Sequence, residues 1–158
     1  MALTLPALDP NTVPAQGGSG YPEPFRSRVL PREKRSLAAM LQLTHLGINL
    51  TTLPPGKESS MRHFHTHEDE FVFVLEGSLV LVTDEGEQTL EAGTCAGFPA
   101  GSRNGHHFIN RSSTPTRYLE VSNHDKSDGC TYSDVDLAYV PGHDGTRGAF
   151  TRKDGTPY

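Results

Sequence analysis

Histidines 63, 65 and 67 stand at alternate positions in Arg62-His63-Phe64-His65-Thr66-His67-Glu68-Asp69-Glu70, and the carboxylate of Glu70 closes the stretch. In a strand, side chains at i, i+2 and i+4 point to one face, so the three imidazoles can share a side. Neutral imidazole with carboxylate is the donor mix that binds Zn, Fe, Mn, Ni or Cu. A second pair, His106-His107, lies in another β-like segment that ends at Asn110. The chemistry expected of these residues is metal ligation. Parity alone leaves two choices open, His65 against His67 and His106 against His107. Asp69 has the opposite parity to Glu70 and reads as a turn residue, and Glu68 is an equally poor ligand.

The elements that must position these donors read as short strands. Leu46-Gly47-Ile48-Asn49-Leu50-Thr51-Thr52-Leu53 alternates apolar with small or polar residues and stops at Pro54-Pro55-Gly56. Further strands are expected at about 61–66, 70–76, 78–83, 87–91, 95–99, 105–110 and 116–122, broken by turns such as Glu76-Gly77, Asp84-Glu85-Gly86 and Ala92-Gly93. Short strands at close, even spacing imply a sandwich or barrel. Val72, Val74, Leu79 and Leu81 are its expected core. Residues 132–137 are expected to add an edge strand. The one candidate helix is short, within 32–40. Residues 1 to about 25 hold five prolines and a Gly-Gly-Ser-Gly run and read as an extended arm. The expected organisation is therefore an arm over 1–40, a barrel over 41–138 and an irregular tail over 139–158.

Composition narrows the function. A chain of 158 residues fits one domain with a real core. Its net charge of -5 argues against nucleic acid, which needs a basic face. No apolar run approaches a membrane span, and no basic-plus-apolar leader opens the chain. The two cysteines, Cys95 and Cys130, lie far apart and are expected as free thiols, so a cytoplasmic location is expected. Arg62, Arg103 and Arg117 are expected as solvated surface cations, and Cys95 as a small buried hydrophobe.

Two ordered motifs resemble those of the cupin superfamily. The first is Gly56, six residues, His63-Phe64-His65, four residues, Glu70, six residues and Gly77. The second is Gly93, five residues, Pro99-Ala100-Gly101, four residues, His106, three residues and Asn110. Relative to the family pattern, one extra residue precedes His63 and two lie between Gly101 and His106. Insertions in turns cost little. The resemblance covers roughly 45–122 and extends to small stand-alone bacterial cupins, some described as sugar-phosphate isomerase-like.

That resemblance implies an all-β double-stranded β-helix, the cupin jelly-roll barrel. It implies His63, His65, Glu70 and His106 as ligands of a divalent transition metal, Fe, Mn, Zn or Ni. His67 and His107 then fall beside the ligands, with His67 a candidate for proton transfer and Asn110 serving its own turn. The implied function is action on a small polar molecule, as a sugar or sugar-phosphate isomerase or an Fe-dependent dioxygenase. The alternative is a non-catalytic small-molecule sensor. The resemblance also implies a homodimer.

Overall fold

The structure is a computed structural model that describes residues 3–143, 146 and 148–158. Twelve strands are formed among these residues: β1 (Glu33–Ser36), β2 (Gly47–Leu53), β3 (His63–His65), β4 (Glu70–Glu76), β5 (Ser78–Thr83), β6 (Gly86–Glu91), β7 (Cys95–Phe98), β8 (His107–Ile109), β9 (Thr116–Ser122), β10 (Cys130–Tyr132), β11 (Ala138–Val140) and β12 (Ala149–Thr151). They pair in the orders β1-β2-β9-β4-β7, β12-β11-β10-β3 and β6-β5-β8. An antiparallel bridge between His63 and His106 ties β3 to the segment leading into β8, so the two smaller sheets form one wall. The whole is a cupin-type double-stranded β-helix.

Alternation decides which side chains face inward. In β4, Val72 and Val74 are buried while Phe71 is 42% exposed. In β5, Leu79 and Leu81 take the inward positions. With Leu53, Phe108 and Tyr118 they form one cluster between the walls. Each fully buried aliphatic side chain contributes about 1.5–3 kcal/mol, which pins the register of the central strands. The expected core residues are all in place.

Both flanks join the barrel. Within 32–40, the expected helix is confined to α2 (Leu37–Met40), and Glu33–Ser36 is a strand. Its backbone finds a ladder on β2, from Glu33 opposite Thr52 to Ser36 opposite Asn49. An available sheet edge outweighs the weak helix preference of four charged or polar residues. A helix that the sequence did not announce, α1 (Phe25–Val29), precedes it. Phe25 and Val29 pack with Tyr21, Met61, Cys130, Tyr132 and Leu137 in a second apolar cluster. The expected strand over 132–137 is displaced: the chain is extended at Cys130–Tyr132 and again at Ala138–Val140, with a turn between. No described helix is long and apolar enough to cross a membrane.

Candidate metal centre

Strand β3 is three residues long, and its alternation sends His63 and His65 to the same face. Its two neighbours hold it rigidly. On one side Cys130 lies opposite His65 and Tyr132 opposite His63. On the other, His63 N–H donates to the His106 carbonyl at 3.1 Å and His106 N–H returns the bond at 2.8 Å. That exchange places the His106 ring beside His63, with ring centroids 5.1 Å apart. Glu70, the first residue of β4, reaches across from the opposite wall.

Donor atoms gather as a result: those of His63, Glu70 and His106 all lie within 4.8 Å of one another, and so do those of His63, His65 and Cys130. His63 Nε2 and His65 Nε2 are 3.1 Å apart. His106 Nε2 lies 2.8 Å from Glu70 Oε2, and His65 Nε2 lies 3.4 Å from the same oxygen. Separations of this size suit neighbouring ligands on one ion with bonds of about 2.1 Å. The donor set therefore fits a divalent first-row metal.

The far ring nitrogens fix the tautomers. His63 Nδ1–H donates to the Met61 carbonyl at 2.9 Å, and His65 Nδ1–H donates to Asp128 Oδ2 at 2.6 Å. Both leave Nε2 for the centre. His106 Nδ1 is buried and has no hydrogen-bond partner; that ring is held by the face of Phe98, 3.6 Å away and nearly parallel. Burial pushes His63 down to about 3, so it stays neutral. Burial also opposes a charge on His65, but hydrogen bonds to Asp128, Cys130 and Glu70 prevail and raise its pKa well above the imidazole range. Glu70 moves the other way: burial disfavours its charge, yet His106 and His65 hold it well below the usual carboxylate range.

The cluster forms one end of a cavity of about 290 Å³. The arm supplies Tyr21 and Arg32 to its wall, β1 supplies Lys34, β9 supplies Glu120, and β10 supplies Cys130 and Tyr132. Lys34 Nζ and Glu120 Oε2 pair at 2.6 Å. Burial raises the pKa of Tyr21 and of Tyr132, so both phenols keep their protons.

Comparison with known proteins agrees with this architecture. The profile of the Cupin domain family matches residues 49–122. A sugar phosphate isomerase from a cupin superfamily, of Silicibacter pomeroyi, shares 42% identity over 97% of this chain and 96% of its own, with a TM-score of 0.91. This chain belongs to the cupin superfamily. Two more distant cupin-fold relatives share the fold. A candidate sugar phosphate isomerase of Acidithiobacillus ferrooxidans has 24% identity over 80% of each chain and a TM-score of 0.72. The polyketide cyclase RemF of Streptomyces resistomycificus has 21% identity, covering 77% of this chain and 81% of its own, with a TM-score of 0.64. No curated protein matches the sequence.

Within this cupin, the residues read as chemical candidates separate clearly. His63, His65, Glu70 and His106 meet, as described. His67 does not: β3 ends at His65 and the chain turns, so parity ceases to apply. Its ring lies on the outside, 2.8 Å from the Thr66 hydroxyl, in a surface hollow with Phe64 and Arg103. The structure therefore does not bring His67 to the cluster formed by the other four residues. His107 is buried but faces away from the cavity, donating through Nδ1 to the Ser60 carbonyl at 3.0 Å. Asp69 accepts from Ala100 N–H at 2.8 Å, as a turn residue should. Cys95 is exposed rather than buried, and no disulfide joins it to Cys130.

Arg117 pairs with Glu76, and Arg62 with Asp84 and Asp134. Sequence reasoning missed Asp128, Cys130, Arg32 and Glu120 as neighbours of the site. A ligating histidine needs a partner for its second nitrogen. That rule calls for a residue like Asp128 but does not say where in the chain to find it.

Proposed function

We propose that this cupin holds one divalent transition metal through His63, His65, Glu70 and His106 and isomerises a small hydroxy-carbonyl compound of the sugar class. The observation that carries the reading is the convergence of the four donor atoms on one cavity. The 42% identical relative described as a sugar phosphate isomerase supports the reaction class. A bound metal would polarise the carbonyl and hydroxyl oxygens of the substrate. The protein would do the rest. Glu120 is the carboxylate in the cavity wall that is not among the four donors, and the Lys34 ammonium holds it in place. It would take the proton from the hydroxyl-bearing carbon beside the carbonyl and return it to the former carbonyl carbon, while the hydroxyl proton passes to the former carbonyl oxygen, so the net composition is unchanged. The protonated phenols of Tyr21 and Tyr132 would donate hydrogen bonds to substrate oxygens rather than act as bases.

The two thiols, unbridged, suit a reducing compartment, and the reading places the protein in the cytoplasm. Phe71 and Leu75, exposed along β4, would be covered in a homodimer. Light scattering at twice the chain mass is the expected result.

The test begins with metal content. Untagged protein is expected to carry near-stoichiometric metal that is lost in His63→Ala and His106→Ala. Wild-type protein that takes up no divalent ion would sink the metal reading. Turnover of a sugar panel that persists in Glu120→Gln would remove Glu120 from the reaction.

A further inference from the structure

Arg32 differs from every other cation around the cavity. Lys34 is neutralised by Glu120, and the histidines belong to the metal cluster. No described carboxylate lies within ion-pairing distance of Arg32. Its Nη1 donates to the Ser59 carbonyl, which anchors the guanidinium next to Ser60, whose hydroxyl sits 3.3 Å from His63 Nδ1. Its Nε–H is buried and has no acceptor. A buried donor on a charged group is costly to leave unpaired. The guanidinium lines the same cavity as the metal cluster.

The rest of the cavity's charge favours an anion. Lys34 and Glu120 cancel, and Glu70 would be offset by the metal it binds. Arg32 is then an uncompensated positive charge in a partly dry space, where electrostatic attraction is stronger than in bulk water. A guanidinium matches the planar spacing of carboxylate and phosphate oxygens. The arm that carries Arg32 is itself fixed to the barrel. Gln16 and Lys34 exchange backbone hydrogen bonds at 2.8 and 3.0 Å, and Tyr21 packs on Tyr132, 5.7 Å between ring centroids.

We infer that Arg32 is the anion-recognition residue of this site, and that the substrate carries an oxyanion group, phosphate or carboxylate. The inference rests on the proposed function for its substrate but not for its geometry. A cavity of about 290 Å³ holds roughly the space of ten water molecules. That accommodates a short chain bearing one anionic group.

The test uses full-length, zinc-loaded, ¹⁵N-labelled protein with inorganic phosphate, acetate and neutral glycerol as probes. The Arg32 Nε–Hε resonance is followed directly in the wild type, so the result needs no variant. Affinities are measured by calorimetry for wild type, Arg32→Gln and Arg32→Lys, and zinc content is measured in each. The expected result is a saturable downfield shift of the Arg32 resonance with an anion and none with glycerol. Arg32→Gln should bind the anion at least about tenfold more weakly with zinc content unchanged. Preference for phosphate or for acetate would each support the inference and say which group the substrate bears. An unmoved Arg32 resonance at saturating phosphate and acetate, or equal affinity in Arg32→Gln, would overturn it. Wild-type protein that takes up no zinc but still shows the Arg32 shift would fail the metal reading and leave the anion site standing.

Discussion

Asp128 Oδ2 lies 2.6 Å from His65 Nδ1, and the other oxygen of the same carboxylate accepts the backbone N–H groups of His67 and Glu68 at 2.8 and 3.1 Å. One side chain thus orients an imidazole of the centre and caps the turn that ends β3. Burial disfavours its charge, but the bonds from His65 and those two N–H groups hold its pKa below the ordinary aspartate value.

Asp128→Asn should therefore weaken metal binding without emptying the site. An amide can still accept from Nδ1 but no longer raises the basicity of the ring. Loss of such an outer partner costs about 10–100-fold in metal affinity. Competition with a chromophoric chelator measures it. Affinity equal to wild type would show that Asp128 serves only the turn.

Metal uptake should release about one proton near neutral pH. Three of the four residues account for it. His63 is neutral above about 3 and has no proton to lose. Glu70 is already ionised. His65 retains its proton in the metal-free protein, because Asp128, Cys130 and Glu70 outweigh its burial. A group whose pKa is raised in the metal-free state competes with metal more strongly as pH falls, so apparent affinity should rise with pH through the neutral range. Calorimetry in two buffers of different ionisation heat gives the proton count. A count of zero would mean that His65 is neutral before the metal arrives.

The fold and four of the converging donors were legible because both depend on local spacing. Alternation in β4 and β5 marks the core, and the turns that separate strands carry glycine or proline. The His63–His65 pair lies on one strand, and Glu70 opens the next. What escaped depends on contacts between distant segments. Asp128 and Cys130 reach the site because β10 pairs with β3, more than sixty residues away along the chain. Arg32 and Lys34 reach it because Glu33–Ser36 adds to the edge of β2, a pairing that no local pattern in a charged tetrapeptide announces. His67 is the opposite case. It obeys the alternation, but the strand stops two residues before it.

Gly77→Ala should destabilise the barrel. Gly77 closes the first motif at the turn between β4 and β5, with φ of +78°. A Cβ there would meet Thr116 Oγ1 at 2.8 Å and Thr116 Cα at 3.3 Å. Left-handed strain and a clash with backbone act together, and a cost of about 1–3 kcal/mol is expected. Thermal unfolding measures it. An unchanged midpoint would mean the turn can relax without disturbing β9.

Asn110→Ala should be at least as damaging, although the residue touches no donor of the metal cluster. Asn110 is fully buried at the end of the second motif. Its amide donates to the Leu53 and Thr114 carbonyls, both at 2.8 Å, and its oxygen accepts from Ser112 N–H at 2.9 Å and the Ser112 hydroxyl at 2.7 Å. The side chain therefore ties the end of β2 to the loop between β8 and β9. Truncation leaves a cavity and strips partners from the backbone around it. Unpaired buried groups cost about 1–3 kcal/mol each, so a loss of about 3 kcal/mol is expected in chemical unfolding. Because β8 follows directly on His106, the same variant should also loosen the metal site. Metal affinity falling in parallel with stability would tie the two motifs mechanically, whereas lost stability with unchanged metal affinity would show that the His63–His106 bridge holds the centre by itself.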